Sequence, residues 1–356
     1  MITVVGAGPA GCHYASLVKD EDVTIIDKKP ILGQPVQCTG IVTDSISRVL
    51  KIPDELVVST IKKFRIISPN GKSVDVDLGK ENKVMDRARF DEYTAQLAVD
   101  NGAKIVMNNS FNGFKKVGEN YEVISQNGRI VSSKIVGADG PFSQVAKSAD
   151  LYGRRSFLEG LQVRAEYKGE VGVCEVYMGV GEFAWVVPED EKIARIGVIG
   201  RNVKQDFRRL VGNAKVCENQ SGIVPLYNPK QKLRKDNVFL IGDAATQVKA
   251  TTYGGIIYGL LAGKFLSENP DTYEKEFNKK LGKDLWMSLK MRDALNVMSE
   301  KQANDLIQIF QKESNNKVLS EHDRDFPSKF VAQLLLKETK LWRMGFDLTM
   351  KKLFKK

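Results

Sequence analysis

The amino-terminal part of the chain alternates short apolar runs with glycine turns and stretches of helical periodicity. Residues 2–5 form a β-branched run that leads directly into Gly-Ala-Gly-Pro-Ala-Gly at residues 6–11, after which apolar residues recur at helical spacing. A second apolar run, residues 23–26, ends in Asp27. Strand, glycine turn, helix, strand and acid in this order predict a βαβ unit that binds a dinucleotide.

The three glycines of this motif each have a physical role in such a unit. Gly6 allows the tight turn, Gly8 lets the backbone approach a pyrophosphate, and Gly11 lets helix and strand pack closely. The helix start then offers free N–H groups and a positive dipole end to the phosphates, and the acid accepts from a ribose hydroxyl. The candidate contacts of the unit are Gly6, Gly8, Ala10, Gly11, Asp27 and Lys28.

Two further apolar runs end in acids far along the chain. Residues 134–140 read Lys-Ile-Val-Gly-Ala-Asp-Gly, and residues 238–245 read Val-Phe-Leu-Ile-Gly-Asp-Ala-Ala. Ligands of open α/β sheets bind beyond the carboxyl ends of the strands. Asp139, Gly242 and Asp243 therefore predict one long ligand that runs across the sheet.

Gly254 and Gly255 precede a helix-like stretch, residues 256–263. Two interpretations stay open for these glycines. In the first, the helix start faces the ligand with its N–H groups and positive dipole end. In the second, the glycines only form a tight turn into a buried helix, and both interpretations can hold together.

The middle of the chain has the period of an antiparallel sheet. Residues 161–166 alternate apolar and polar side chains, and three further runs, 173–178, 183–187 and 193–199, continue the pattern. From Pro270 onward the apolar spacing is helical, with breaks expected at Asn315-Asn316 and Phe326-Pro327.

These patterns predict an α/β protein in three parts. We expect a discontinuous Rossmann-like dinucleotide-binding domain at residues 1–150 and 230–268. We expect an inserted antiparallel β-sheet substrate domain at residues 151–229 and a helical C-terminal region at residues 269–356.

The composition makes several kinds of site improbable. The 356 residues include two histidines and four widely spaced cysteines, with no Cys-x-x-Cys pair. We therefore expect no metal site and no His-based catalytic triad. The longest apolar stretches are shorter than the roughly 18 residues that a spanning helix needs. We expect a cytoplasmic protein.

Half of the formal net charge of +10 lies at the carboxyl terminus. Residues 337–356 contain seven bases and two acids, a balance of +5, together with Trp342 and several leucines. Such a segment suits a helix at the inner face of an anionic membrane. The alternative is a terminal helix that docks on the body with a solvated lysine fringe. No nucleic-acid recognition motif is present, so we expect no nucleic-acid partner.

Several motifs together resemble those of FAD-binding flavoproteins of the aromatic-hydroxylase type, and more narrowly those of the geranylgeranyl reductase family. The likeness covers nearly the whole chain. Besides the amino-terminal motif, it rests on Asp-Arg-Ala-Arg-Phe-Asp at 86–91, Gly-Ala-Asp-Gly at 137–140, Gly-Asp-Ala-Ala at 242–245, Thr-Thr-Tyr-Gly-Gly-Ile at 251–256, Pro-Val-Gln-Cys-Thr-Gly at 35–40 and Gly-Glu-Phe-Ala-Trp-Val-Val-Pro at 181–188.

Four residues depart from the family pattern. Asp27 stands where Glu is common, which is a conservative change. Phe183, Val187 and Ala250 stand where Tyr, Phe and Pro are usual, and these changes would reshape a substrate channel.

The resemblance implies FAD as the cofactor and assigns roles to residues of this sequence. It implies that the first glycine motif holds the pyrophosphate, that Asp27 binds the adenosine ribose, and that Asp243 bonds the ribityl or pyrophosphate region. Gly254, Gly255 and Ile256 would face the flavin ring. Asp139, Gly242 and Arg87 would lie near the cofactor. For Arg87 the alternative stays open that it is only part of a capped surface helix and has no cofactor role.

The resemblance also implies a catalytic residue and a substrate wall. Cys38 would lie beside the flavin ring, where a thiol can donate a proton or position an alkene; the alternative is an inert packing cysteine. Tyr177, Phe183, Trp185 and Val187 would line the substrate channel, or would simply be core residues.

The implied activity is reduction of C=C bonds in geranylgeranyl chains of archaeal-type membrane ether lipids or their precursors. A hydride would come from N5 of reduced flavin, together with a proton, and the electron donor would be ferredoxin, reduced nicotinamide or a deazaflavin. One alternative is an FAD-dependent monooxygenase that uses NAD(P)H and O2. The second is a non-enzymatic flavin-binding protein of the membrane surface.

Overall fold

The computed structural model describes residues 1–342, 344 and 345. The strands are β1 (Ile2–Val5), β2 (Val23–Ile26), β3 (Ile41–Val42), β4 (Val57–Ile67), β5 (Ser73–Met85), β6 (Lys104–Val106), β7 (Phe111–Val117), β8 (Asn120–Ser125), β9 (Gly128–Ser132), β10 (Lys134–Gly137), β11 (Phe157–Glu166), β12 (Val173–Tyr177), β13 (Phe183–Pro188), β14 (Ile193–Gly200), β15 (Val216–Pro225), β16 (Arg234–Lys235) and β17 (Val238–Leu240). The α-helices are α1 (Pro9–Leu17), α2 (Arg87–Asp100), α3 (Gln144–Ser148), α4 (Lys204–Val211), α5 (Ile256–Glu268), α6 (Tyr273–Phe277), α7 (Lys283–Asn296), α8 (Glu300–Gln311), α9 (Glu313–Glu321) and α10 (Ser328–Lys337).

A six-stranded, mostly parallel sheet forms the first layer, in the order β16-β17-β10-β1-β2-β6. β1 pairs in parallel with both β10 and β2, so the carboxyl ends of these strands meet at one edge. The strands are almost entirely buried, as expected for a parallel sheet covered on both faces. This arrangement confirms the predicted Rossmann-like part of the fold.

The second layer is an eight-stranded sheet in the order β15-β11-β14-β13-β12-β4-β5-β3. Its neighbours β11, β14, β13 and β12 correspond to the four runs predicted between residues 161 and 199, and they pair antiparallel as expected. Strands β3, β4 and β5 complete the sheet, although they come from the segment assigned above to the dinucleotide-binding domain. β4 joins by parallel pairing with β12, a contact between segments more than a hundred residues apart.

The carboxyl-terminal region is helical, as predicted. The expected break at Phe326-Pro327 precedes α10, whereas the break expected at Asn315-Asn316 is wrong. The chain turns at Lys312 instead, and the Asn315 side chain donates to the Ile309 carbonyl within this turn. None of the described helices is long and apolar enough to span a membrane. The proposed membrane contact at residues 337–356 falls largely on residue 343 and residues 346–356, outside the described residues.

Candidate active site

The glycine turn between β1 and α1 is as tight as the motif requires. Gly6 has a φ of +109°, and a Cβ there would lie 2.3 Å from the carbonyl oxygen of Ala138. A Cβ on Gly11 would lie 2.2 Å from the Gly6 carbonyl oxygen, whereas one on Gly8 would meet nothing within 4 Å. Gly6 and Gly11 are thus required by packing. Gly8 leaves open space in front of the helix, where a ligand can approach the backbone.

The start of α1 fits an anionic group. The first N–H groups of any helix have no acceptor within the helix itself. In α1, which begins at Pro9, the N-cap residue Gly8 has no side chain that could accept from them. Uncapped N–H groups and the positive dipole end favour a phosphate at this place. The residues present therefore suit the pyrophosphate of a dinucleotide.

Asp27 stands at the end of β2 beside this turn. Its Oδ2 accepts from the Ala7 N–H at 2.7 Å, and its Oδ1 accepts from the Lys29 N–H at 2.8 Å. The carboxylate is thus held rigidly next to the glycine turn, and each oxygen keeps further acceptor capacity for a ribose hydroxyl. Lys28 is exposed, and the structure places no described contact on its side chain.

The ends of β1, β10 and β17 converge as the sequence predicts. Ala10 lies against Gly242, where an added Cβ would be 3.2 Å from the Ala10 Cβ, and Gly259 of α5 approaches Ala10 equally closely. A Cβ on Gly255 would lie 3.2 Å from Asp243 Oδ1. Gly255 precedes α5 without a side-chain cap. The second glycine-opened helix start therefore adjoins the strand-end acid.

The carboxylate of Asp243 is free to accept hydrogen bonds from a ligand. No described residue donates a hydrogen bond to its carboxylate, and burial raises its pKa to about 6, against a smaller lowering by Arg87. A partly buried carboxylate without donors is destabilising unless a bound molecule supplies them. Hydroxyl groups of a ribityl chain or ribose are such donors.

The carboxylate of Asp139, unlike that of Asp243, already accepts hydrogen bonds from the protein. Its Oδ1 accepts from the Ser143 hydroxyl at 2.6 Å, and its Oδ2 accepts from the N–H groups of Gln144 and Val145. Burial nevertheless raises the pKa of Asp139. The structure thus places this acid at the start of α3, where it stabilises the helix end; contact with a cofactor stays a prediction.

Arg87 lies near two of the predicted site residues, Cys38 and Asp243. Its Nη2 donates to Asp91 Oδ1 at 2.8 Å, an ion pair within α2. Burial, the largest effect, lowers its pKa, but the Asp91 carboxylate and Cys38 outweigh burial and raise it. Arg87 also acts electrostatically on Asp243. The arginine therefore has a structural partner and, at the same time, stands beside Cys38 and the strand-end acid.

The Cys38 loop is anchored to the second sheet. Cys38 Sγ accepts from the Gly40 N–H at 3.4 Å, and the Thr39 hydroxyl donates to Gln162 Oε1 at 2.6 Å. Buried Arg195, ion-paired with Glu189, donates to the Thr39 carbonyl oxygen. The sequence analysis missed this arginine because a charged residue in an apolar strand gives no sign of its partner.

One cavity of about 150 Å³ brings the predicted catalytic and flavin-facing residues together. Cys38, Gly254, Gly255 and Ile256 line it, opposite the aromatic residues Phe183 and Trp185. The two aromatic rings stack with centroids 5.6 Å apart, and Trp185 Nε1 donates to Gln162 Oε1 at 3.0 Å. The inner cavity, as we call it, is thus a space between a helix start and an aromatic wall.

Two predicted substrate residues lie elsewhere. The Tyr177 hydroxyl donates to Glu175 Oε2 at 2.7 Å, and its ring packs with core residues near α4. Val187 is fully buried against Ile61 and Cys174. Neither residue lines the inner cavity or the larger cavity described next, which agrees with the core interpretation left open for both.

A larger cavity of about 630 Å³, the outer cavity, adjoins the first between the second sheet and the carboxyl-terminal helices. Phe64, Phe183, Thr252 and Arg324 line both spaces. The two cavities therefore adjoin each other at these four residues, with Cys38 and the start of α5 on the inner side and α9 on the outer side.

A buried ion pair of Lys249 and Asp325 lines the inner cavity. Asp325 also accepts from the Thr43 hydroxyl at 2.8 Å. Burial lowers the pKa of Lys249 despite the Asp325 carboxylate, while Lys249 and Arg324 outweigh burial and hold the pKa of Asp325 below its ordinary value. Sequence reasoning missed this pair, although Lys249 stands between two glycine motifs that it did select.

Comparison with known proteins gives relatives along the whole chain. The digeranylgeranylglycerophospholipid reductase of Methanocaldococcus jannaschii is 28% identical over 98% of this chain and 97% of the relative. The enzyme of the same name from Methanosarcina acetivorans is 27% identical over 84% of this chain and 86% of the relative. The chain is a relative of the digeranylgeranylglycerophospholipid reductases. The resemblance to the geranylgeranyl reductase family is thereby confirmed, although no family model matches the chain.

Solved structures confirm the fold. A geranylgeranyl bacteriochlorophyll reductase-like protein from Thermoplasma acidophilum has a TM-score of 0.75 at 20% identity, covering 88% of this chain and 91% of that one. The halogenase PltM, solved in complex with FAD, has a TM-score of 0.65 at 11% identity, covering 90% and 84%. The predicted FAD-type architecture with its antiparallel sheet is confirmed.

Proposed function

We propose that this protein is an FAD-dependent reductase that saturates C=C bonds of geranylgeranyl chains in membrane ether lipids or their precursors. The observation that carries the proposal is the inner cavity, where Cys38 and the Gly254-Gly255 helix start face an aromatic wall. The relatives named digeranylgeranylglycerophospholipid reductase support the same substrate class for this chain.

FAD fits the residues that the fold brings together. The uncapped start of α1 and the open space at Gly8 suit its pyrophosphate, Asp27 suits a ribose, and donor-free Asp243 suits hydroxyl groups of the ribityl chain. Bound and reduced, FAD supplies the hydride. The uncapped start of α5 offers N–H donors and a positive dipole end to the negative charge that accompanies reduction.

The residues of the chain orient the alkene and exclude water. Phe183 and Trp185 form a stacked wall, and Phe64 extends it toward the outer cavity. Burying a methylene group contributes about 0.8 kcal/mol, so an isoprenoid chain gains affinity along its whole length in such a path. Cys38 lines the inner cavity, and we propose that its thiol donates the proton or positions the alkene.

The remaining parts of the proposal concern electrons and location. The electrons come from ferredoxin, reduced nicotinamide or a deazaflavin, each of which can be offered to the purified protein in turn. We also propose that the basic residues 337–356 bring the protein to the inner, anionic face of the membrane, where its substrate lies.

The decisive experiment is anaerobic turnover followed by mass spectrometry. The FAD-loaded protein is reduced with dithionite and incubated with a digeranylgeranylglyceryl phospholipid, with protein-free and FAD-free mixtures as controls. Mass gains in two-hydrogen steps that require both protein and FAD support the reductase. Addition of oxygen to the lipid, or to an aromatic compound, in air with NADPH would instead identify a monooxygenase. Binding of FAD without turnover of any lipid would leave only a flavin-binding protein.

A further inference from the structure

One wall of the outer cavity is apolar. Six apolar residues of the second sheet form it: Phe64, Ile66, Val76, Leu78, Val176 and Phe183. They belong mainly to β4, β5 and β12, on the face of the second sheet that turns toward the carboxyl-terminal helices. The opposite wall, from α9 to the start of α10, is mostly polar, with Leu319 and Phe326 as its apolar members. The cavity is therefore amphiphilic, with one side suited to a hydrocarbon chain.

Arg324 is the polar residue at the junction of the two cavities. Its guanidinium lies over the Phe64 ring, 4.6 Å from the centroid, and its Nε is buried without a hydrogen-bond partner. No described residue accepts a hydrogen bond from the guanidinium or forms an ion pair with it. A half-buried guanidinium without acceptors is destabilising, and a bound anion would relieve the cost.

The acids near Arg324 are committed to other partners. Asp325 pairs with Lys249, and Asp323 accepts from the hydroxyls of Thr43 and Ser45. Arg324 therefore forms no direct ion pair with a described residue, although it acts electrostatically on Asp325.

Two further cations stand at the mouth of the outer cavity. The guanidinium of Arg48 lies 5.7 Å and the ammonium of Lys329 lies 5.4 Å from the centroid of the Phe326 ring. Both side chains are exposed, and within the described part of the chain neither charged group forms a hydrogen bond or an ion pair. Phe326 thus holds two positive charges close to the entrance.

Two of the acids that line the outer cavity pair with other bases. Asp44 pairs with Lys80 at 2.6 Å, and Glu321 lies 3.8 Å from Lys317. His322 Nδ1 donates to the Val318 carbonyl oxygen, and His322 Nε2 accepts from Gln333 Nε2. Among the described residues that line the outer cavity, Arg48, Arg324 and Lys329 form no ion pair, and of the acids only Asp323 forms none, so the unpaired cations outnumber the unpaired acid.

We propose that Arg324, Arg48 and Lys329 form an anion subsite that binds the phosphate or diphosphate group of an isoprenoid substrate. This inference rests on the proposed function and names the polar end of its substrate. The planar fork of a guanidinium matches phosphate oxygens in a bidentate manner, and an ammonium adds a point charge. The hydrocarbon chain then runs past Phe64 and Phe183 into the inner cavity, toward Cys38.

The test measures binding of three probes that share the geranylgeranyl chain. The FAD-loaded protein is titrated with geranylgeranyl diphosphate, with a digeranylgeranylglycerophospholipid in detergent and with uncharged geranylgeraniol. We expect both anionic probes to bind at least about tenfold more tightly than the alcohol, a difference of about 1.4 kcal/mol. The diphosphate and phospholipid arms distinguish a free precursor from a lipid headgroup as the natural source of the phosphate.

The variants assign this preference to the subsite. Arg324→Gln is expected to weaken binding of the anionic probes at least about tenfold, or about 1.4 kcal/mol, without changing that of the alcohol. Arg324→Lys should recover only part of the loss, because it keeps the charge but not the fork. The matched control is Arg129→Gln, which removes an equal charge from an exposed residue on the separate three-stranded sheet of β7, β8 and β9.

The double variant Arg48→Gln/Lys329→Gln keeps the test decisive if Arg324→Gln fails to fold, since both side chains are exposed. Equal affinity for charged and uncharged probes, or equal losses in the Arg129→Gln control, would overturn the inference. Failure of the proposed function looks different. In that case the anion preference still depends on Arg324, but no double bond is reduced under dithionite.

Discussion

The carboxylate of Asp243 provides a test of the site, because we expect the ionised group to lower the stability of the FAD-free protein and to strengthen the binding of FAD. Burial raises its pKa from 3.8 to about 6, against a smaller effect of Arg87, so the folded protein binds the proton more tightly than the unfolded chain does. The contribution of Asp243 to stability therefore declines as the pH rises from about 4 to about 6. At about 1.4 kcal/mol for each pKa unit, the full cost of the ionised group at pH 7 is at most about 3 kcal/mol.

The perturbation is Asp243→Asn, examined in the FAD-free protein by urea unfolding at several pH values. Because an amide has no charge to desolvate, we expect the variant to match the original near pH 3.5. We expect it to exceed the original by up to about 3 kcal/mol above pH 6. In FAD titrations the same variant should bind more weakly, since it replaces an acceptor by a donor at one oxygen position.

The control is Asp22→Asn, which changes an exposed acid by the same chemistry and should leave both the pH profile and FAD affinity unchanged. Two results would show that Asp243 is not a buried acid without donors. In the first, Asp243→Asn lowers the free energy of unfolding of the FAD-free protein at pH 7. In the second, the difference in this free energy between variant and original protein does not change with pH. If stability rises as expected but FAD affinity is unaffected, the acid does not contact the cofactor.

Three further predictions follow from the same geometry. Cys38→Ala should retain FAD but lose most alkene reduction, and unchanged turnover in the mass-spectrometric assay would remove its catalytic role. Gly8→Ala should fold normally and weaken FAD binding, whereas Gly11→Ala should not fold stably, because its Cβ would lie 2.2 Å from the Gly6 carbonyl oxygen. Circular dichroism measures the folding of each variant and FAD fluorescence its cofactor binding. Equal behaviour of the two variants would contradict the different roles of the two glycines. Deleting residues 346–356, which carry four lysines and one acid, should weaken binding to anionic vesicles in sedimentation, and undiminished binding would favour a tail without a membrane role.

Local spacing made much of the cofactor part predictable. The roles of Gly6 and Gly11 depend on contacts within one βαβ unit, where a turn, a helix and two strands leave few ways to pack. The position of Asp27 beside that turn follows from the same unit. The convergence of Asp243 and Gly255 was predictable too, because ligands bind at the carboxyl edge of a parallel sheet.

The substrate side was less predictable, because strand alternation assigns residues to one face of a sheet but does not say how far along that face a cavity extends. Phe183 and Trp185 line the inner cavity, while Val187 on the same strand is buried against Ile61 and Cys174. Tyr177 was selected by its aromatic character, but its hydroxyl is satisfied by Glu175 away from either cavity.

The sequence by itself determined the class of fold and predicted a dinucleotide site at the carboxyl edge of the parallel sheet, because each strand-turn-helix unit depends on residues close together in the chain. FAD in particular was implied by the resemblance to a known family. Only the tertiary structure decided how the substrate path is closed and charged. Thr43 and Asp325 are 282 positions apart, yet they share a hydrogen bond beside the inner cavity. Arg324 lies over Phe64 in the same way, across most of the chain. No periodicity signals such pairs, since burial and charge balance arise only when the second sheet and the terminal helices pack together.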